Sequence, residues 1–143
     1  YKRQAQDRQA QLVCALVAER RIDAHCRRAV RDLYHLGDIV DVHAVALGDF
    51  DTLITGDMDA KTETKLVETY DLPDIEVLLV GHHGSKYSTG TTLLESVTPE
   101  AGVISVGDNS YGHPTEEALL RLTDAGMTVY RTDMQGNILI TVD

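Results

Sequence analysis

Short apolar runs alternate with stretches of helical spacing over most of this chain. From Ile39 to Leu47 and from Phe50 to Thr55 the pattern is that of two strands, with Gly48 and Asp49 as the hairpin turn between them. Residues 59–70 put Leu66 and Val67 on the inward side of a helix that Asp71-Leu72-Pro73-Asp74 ends. Val77-Leu78-Leu79-Val80, closed by Gly81, reads as a buried strand, and Thr91 to Val97 as a helix stopped by Thr98-Pro99. Val103-Ile104-Ser105-Val106 is a further strand. Pro114-Thr115-Glu116-Glu117 opens a helix that carries Ala118, Leu119, Leu120 and Leu122 to Gly126, its C-terminal cap. Two final strands, Thr128 to Arg131 and Asn137 to Val142, are joined through Asp133-Met134-Gln135-Gly136. The alternation predicts one α/β layer with its loops gathered at a common edge.

The opening differs from the rest. Residues 2–34 read as helix in two pieces, the first with Leu12, Val13, Leu16 and Val17 at helical spacing, the second capped by Asp23 and carrying Cys26, Val30, Leu33 and Tyr34 on one side. The division is therefore a helical, basic segment over 1–38 and an α/β region over 39–143. Residues 1–35 hold eight Lys and Arg against four Asp and Glu, which leaves five against nineteen over residues 36–143 and a body near −14 within a total of −10. Such a body repels a polyanion unless bound metal supplies positive charge. The arginines of the opening read as a solvated helix surface in preference to a nucleic-acid face. Cys14 and Cys26 match neither a zinc spacing nor a redox motif, and the sequence leaves a disulfide between them open. No run approaches the length that spans a bilayer, and no leader pattern opens the sequence.

The candidate chemistry sits where strands run out into glycine-rich loops. Ile54-Thr55-Gly56 ends in Asp57, Val80-Gly81 delivers His82 and His83 into Gly84-Ser85, and Val106-Gly107 leads to Tyr111-Gly112-His113-Pro114. Carboxylate and imidazole brought to one sheet edge form a donor set suited to zinc or manganese. A polar loop without chemistry is the plain alternative for the His-His pair. His35 and His43 have no spacing for a shared metal, and His25 reads as a surface residue.

Taken together, Ile54-Thr55-Gly56-Asp57, Leu79-Val80-Gly81-His82-His83-Gly84-Ser85, Ile104-Ser105-Val106-Gly107 and Tyr111-Gly112-His113-Pro114 resemble the metallo-β-lactamase superfamily, and more narrowly the hydrolase domain of ComEC-type competence proteins, the bacterial DNA-uptake channels. Val129-Tyr130-Arg131-Thr132-Asp133, followed by Gly136 and an apolar run, fits the same subgroup. The resemblance covers roughly Val45 to Val142. It implies half of an αββα sandwich, with a mixed sheet and helices. It also implies that Asp57 bridges two metal ions, that His82 or His83 is a late metal ligand, and that Ser85 and His113 face the scissile phosphate. A bridging carboxylate lets two cations share and acidify a water, a histidine outside the coordination shell can protonate the leaving oxygen, and a serine can bond a phosphate oxygen. The chain departs from the pattern in two respects: His-x-His-x-Asp-His is absent, and the further histidine ligand expected between that motif and Asp57 has no counterpart.

The chain is accordingly read as the C-terminal half of such a domain, cut at its N-terminus, ahead of a degenerate domain or an altered opening segment. The expected function is metal-dependent hydrolysis of DNA or another phosphodiester, with Asp57, His82 and His83 on zinc or manganese and Ser85 and His113 on the phosphate. The alternatives are a non-catalytic binding or assembly module and a small-molecule esterase or lactonase. An exposed sheet face predicts a homodimer. The resemblance places such a domain on the extracytoplasmic face of a bacterial membrane, attached to the membrane only through other parts of a longer protein.

Overall fold

The structure is a computed structural model in which residues 34–35, 41–47 and 49–142 are described. Among the described residues six strands lie side by side in chain order: β1 (Tyr34–His35), β2 (Asp41–Leu47), β3 (Phe50–Ile54), β4 (Val77–Leu79), β5 (Ala101–Ile104) and β6 (Thr128–Arg131). The first three are antiparallel, and Leu47 opposite Phe50 closes the predicted hairpin with a two-residue turn. From β3 to β6 the strands are parallel. A parallel return requires a long crossover. Each crossover holds one predicted helix: α1 (Ala60–Thr69), α2 (Thr91–Val97) and α3 (Glu116–Asp124).

Alternation along the strands divides the apolar residues between two faces. Leu53, Leu78 and Ile104 join Leu66 of α1, Leu93, Leu94 and Val97 of α2 and Leu122 of α3 in one buried cluster, so the three helices share a face. Ile54, Val77, Leu79 and Val103 form a second cluster on the other face. Helix α3 ends as predicted at Gly126 (φ 78°): the Gly126 amide bonds Thr123 O and the Met127 amide bonds Leu122 O. Met127 and Leu122 meet in the core, the apolar contact that accompanies this type of cap.

Four details differ from the sequence reading. Tyr34, placed at the end of a helix, pairs with Val42 as part of β1; the remainder of the predicted N-terminal helices lies outside the described residues. Strand β5 starts at Ala101, so Ser105 and Val106 lie beyond its end. Residues 132–135, read as a connection, form a short helix, α4 (Thr132–Gln135). Its support is polar and leaves no apolar period to read: Arg131 and Asp133 make a two-bonded ion pair at 3.0 and 2.6 Å, and Gln135 Oε1 accepts from the Arg131 amide. Residues 137–142 join no ladder. Their alternating apolar residues serve another purpose, since Ile138 and Ile140 pack against the second face of the sheet.

Four parallel strands aim their carboxyl ends at one edge, where α/β sheets bind ligands. That edge carries the loops 55–59, 80–90 and 105–115, and with them every residue singled out from the sequence.

Candidate functional site at the carboxyl edge of the sheet

Gly81–Gly84 is a tight turn in which His82 (φ 49°, ψ 44°) and His83 (φ 57°, ψ 27°) both adopt the left-handed conformation. For side chains other than glycine this costs about 1–2 kcal/mol per residue, and such strain persists only where the surroundings hold it. Here they do. The His82 amide donates to Gly56 O at 2.9 Å, which ties the turn to the loop of Asp57. The Gly81 amide donates to Thr89 Oγ1 at 2.9 Å, and His83 Nδ1 lies 2.6 Å from Ser105 O. A carbonyl can only accept, so Nδ1 is the donor and the ring's second nitrogen, Nε2, is the one left to meet a ligand.

The loop after β5 is organised by Asn109. Its amide nitrogen donates to Gly107 O and His113 O, while its oxygen accepts from the amides of Tyr111 and His113. The loop then reaches Pro114 through a cis peptide and meets the histidine turn directly. Gly84 (φ 80°) leaves no space for a side chain, since a Cβ there would lie 2.5 Å from that of Pro114. Thr115 bonds Gly84 O through its amide at 2.9 Å and its hydroxyl at 3.3 Å, and also caps α3 by accepting from Ala118 N.

These contacts bring three imidazoles together. The rings of His82 and His113 are 5.6 Å apart between centroids and those of His82 and His83 6.3 Å, both edge to face. Tyr111 stacks on His113 at 6.0 Å. Burial first, then the neighbouring His82 and His83, holds the His113 imidazole below the usual 6.5, which favours its neutral form.

A second device fixes the 85–90 loop from beneath. Glu63 of α1 is buried, and its two carboxylate oxygens accept from the amides of Thr89 and Gly90, each at 2.7 Å. Arg121 of α3 donates through Nε to Thr89 O at 2.8 Å and through Nη2 to Ser88 O at 3.0 Å and Lys86 O at 3.2 Å. Burial pushes the Glu63 carboxyl above its usual 4.5, against the lowering effect of the two amides and Arg121. Neither residue was singled out from the sequence. The available signal was a glutamate one turn before Leu66 and Val67, on the stripe that faces the core.

The sequence-selected residues fall as follows. His82, His83 and His113 converge and are half-buried, while Asp57 is exposed on the adjoining turn. Ser85 is buried, with its hydroxyl accepting from the Tyr87 amide at 3.3 Å. Among the described residues no three His, Cys, Asp or Glu side chains are placed to hold a metal ion. The donor types suit a metal, and the His83 bond to a backbone carbonyl is the support that ligating histidines commonly have. Within the described residues the set is partial. No helix among them is long and apolar enough to cross a membrane.

No protein-family model matches the chain. Curated proteins do. The chain is 42% identical over 95 residues to competence protein ComA of Neisseria gonorrhoeae, 36% identical over 92 to ComE operon protein 3 of Bacillus subtilis, and 38% identical over 94 to recombination protein 2 of Haemophilus influenzae. Over this span it is similar to a segment of competence proteins. The matches cover 64–65% of this chain but only 12–14% of those competence-type relatives. A stretch covering 64% of 143 residues must include residues 53–91, so Asp57, Glu63, His82, His83 and Ser85 all lie within the similarity to each competence-type protein.

Two predictions follow from the local geometry. Glycine relieves a left-handed backbone, so His82→Gly should be more stable than His82→Ala by about 1 kcal/mol in denaturant unfolding; equal stability would show that the turn is not strained. Glu63→Gln sets an amide donor against a backbone N–H and should cost about 1–3 kcal/mol. Because folding raises the Glu63 pKa, its linkage contribution is fully present below the unfolded value of 4.5 and lost as pH rises through the folded value. The stability gap between the native chain and Glu63→Gln should therefore narrow with rising pH, and a gap independent of pH would contradict this.

Proposed function

We propose that this chain is the carboxyl-edge part of a metal-dependent phosphodiesterase acting on DNA within a competence-type protein. The observation that carries the reading is the convergence of His82, His83 and His113, two of them held in strained backbone, beside the Asp57 turn. Similarity to competence proteins over the same residues supports it.

In this reading Asp57, His82 and His83 hold zinc or manganese, which when bound supplies an acidified water and positive charge for the phosphate. The remaining donors come from outside the described residues. The chain's own contribution is positioning and proton transfer. His83 presents Nε2 because its Nδ1 is committed to Ser105 O. His113 lies against His82, outside the set that would hold the metal, where its ring would pass a proton to the leaving oxygen. Ser85, whose hydroxyl accepts from the Tyr87 amide, keeps its own proton for a phosphate oxygen.

A second reading, a binding or assembly module without turnover, is favoured by the absence of His-x-His-x-Asp-His from this sequence and by the partial donor set among the described residues. A homodimer and an extracytoplasmic position belong to either reading. A small-molecule esterase or lactonase would differ only in the pocket around the same loops.

The test is hydrolysis of bis(p-nitrophenyl) phosphate and of end-labelled DNA with added zinc or manganese, together with metal retention on dialysis. The expected result is metal binding, activity abolished by chelator, and losses of roughly a hundredfold or more in Asp57→Ala, His82→Ala and His113→Ala. A folded chain that retains no metal and cleaves neither substrate would leave the module reading. Cleavage unchanged in all three variants would remove these residues from the mechanism.

A further inference from the structure

Helices α2 and α3 border a groove of about 620 Å³ that contains none of the residues of the candidate site. Leu94 lines it from within the core, and Leu120 lines it while 56% exposed. The exposed carboxylates of Glu95, Glu117 and Asp124 surround these two leucines and make no ion pair among the described residues. Arg121 offsets them only in part, because its guanidinium is directed to the carbonyls of Lys86, Ser88 and Thr89. The bias is local. Helix α1 balances Glu63 and Glu68 with Lys61 and Lys65, whereas α2 and α3 together carry Glu95, Glu116, Glu117 and Asp124 against Arg121 alone.

We propose that this groove docks a short basic amphipathic helix of a partner polypeptide. An apolar side chain of that helix would sit against Leu94 and Leu120, and its lysines or arginines would face Glu95, Glu117 and Asp124. Length, polarity and charge all favour this occupant. The groove runs between helices of seven and nine residues, about 10–14 Å long, the span of two to three helical turns. Recognition of a helix in a groove sets apolar side chains on such a floor, and complementary charge around them fixes the register. The same carboxylates repel a polyanion or an acidic segment. Because the groove is separate from Asp57, His82, His83 and His113, its occupancy is independent of turnover.

Fluorescence anisotropy on the full chain at physiological ionic strength would use a labelled peptide of leucine, alanine and lysine. At about eighteen residues it is long enough to be helical, with leucines on one face and lysines on the other. It should bind saturably, one peptide per chain, and about tenfold more tightly than peptides in which serine replaces leucine or glutamate replaces lysine. Leu120→Ser, and the pair Glu117→Lys with Asp124→Lys, should each weaken it by about tenfold or more. The pair Glu68→Lys with Asp71→Lys changes net charge equally but lies outside the groove, and should leave binding within about twofold. All these side chains are exposed, and unchanged circular dichroism would confirm that the variants fold. Equal losses from the two charge pairs would mean attraction by net charge alone and would overturn the proposal, as would indifference to Leu120 or to the leucines of the peptide. A concentration-dependent dimer in sedimentation that Leu120→Ser abolishes would give the groove to a second copy of the chain and overturn it equally.

Discussion

The Gly84 carbonyl is the joint on which the candidate site depends. Both the amide and the hydroxyl of Thr115 converge on it, and Pro114 occupies the space that any side chain at position 84 would need. Without that contact, the turn bearing His82 and His83 and the loop bearing His113 would be two separate excursions from neighbouring strands. With it they become one surface, and Thr115 extends the connection into the start of α3. Glu63 and Arg121 perform the equivalent task for the 85–90 segment, one taking its amides and the other its carbonyls. The loops at this edge are thus tied to the elements that flank them, although the buried hydroxyls of Thr55 and Ser88 find no hydrogen-bond partner.

Such order has an energetic cost. Two successive histidines in the left-handed region and a buried carboxylate above its usual pKa both oppose stability, and neither is needed to build an α/β layer. Glycine at 82 and 83 would satisfy the backbone more cheaply. What these choices provide is the placement of imidazoles and of the chain around them. Strain located at the carboxyl edge of a parallel sheet, and in residues that fall within the similarity to competence proteins, is what a functional site would require.

Much of the architecture was legible because it follows from apolar period. The hairpin pairing of β2 with β3, the helices after β3, β4 and β5 and the Gly126 cap all appear in the structure where spacing and end signals put them. Where polar bonds replace apolar period, the reading failed. Helix α4 is held by Arg131, Asp133 and Gln135, and Ile138 and Ile140 alternate like a strand but lie against a sheet face. The site was legible in its residue types: His82, His83 and His113 were selected from glycine-rich strand exits and do converge. Glu63, Asn109 and Arg121 were not selected, because their partners are backbone groups far away in sequence and no motif records such bonds.

The central claim of the proposed function is that Asp57, His82 and His83 would hold one cation beside His113. Titrating the chain with manganese while recording histidine ring and backbone NMR signals tests it most directly, because the ion broadens only the nuclei near it. The account predicts selective loss of the ring signals of His82, His83 and His113 and of the Asp57 amide at low manganese, with those of His25, His35 and His43 retained. Broadening spread evenly over all six histidines, or confined to the acidic helix surfaces, would contradict it.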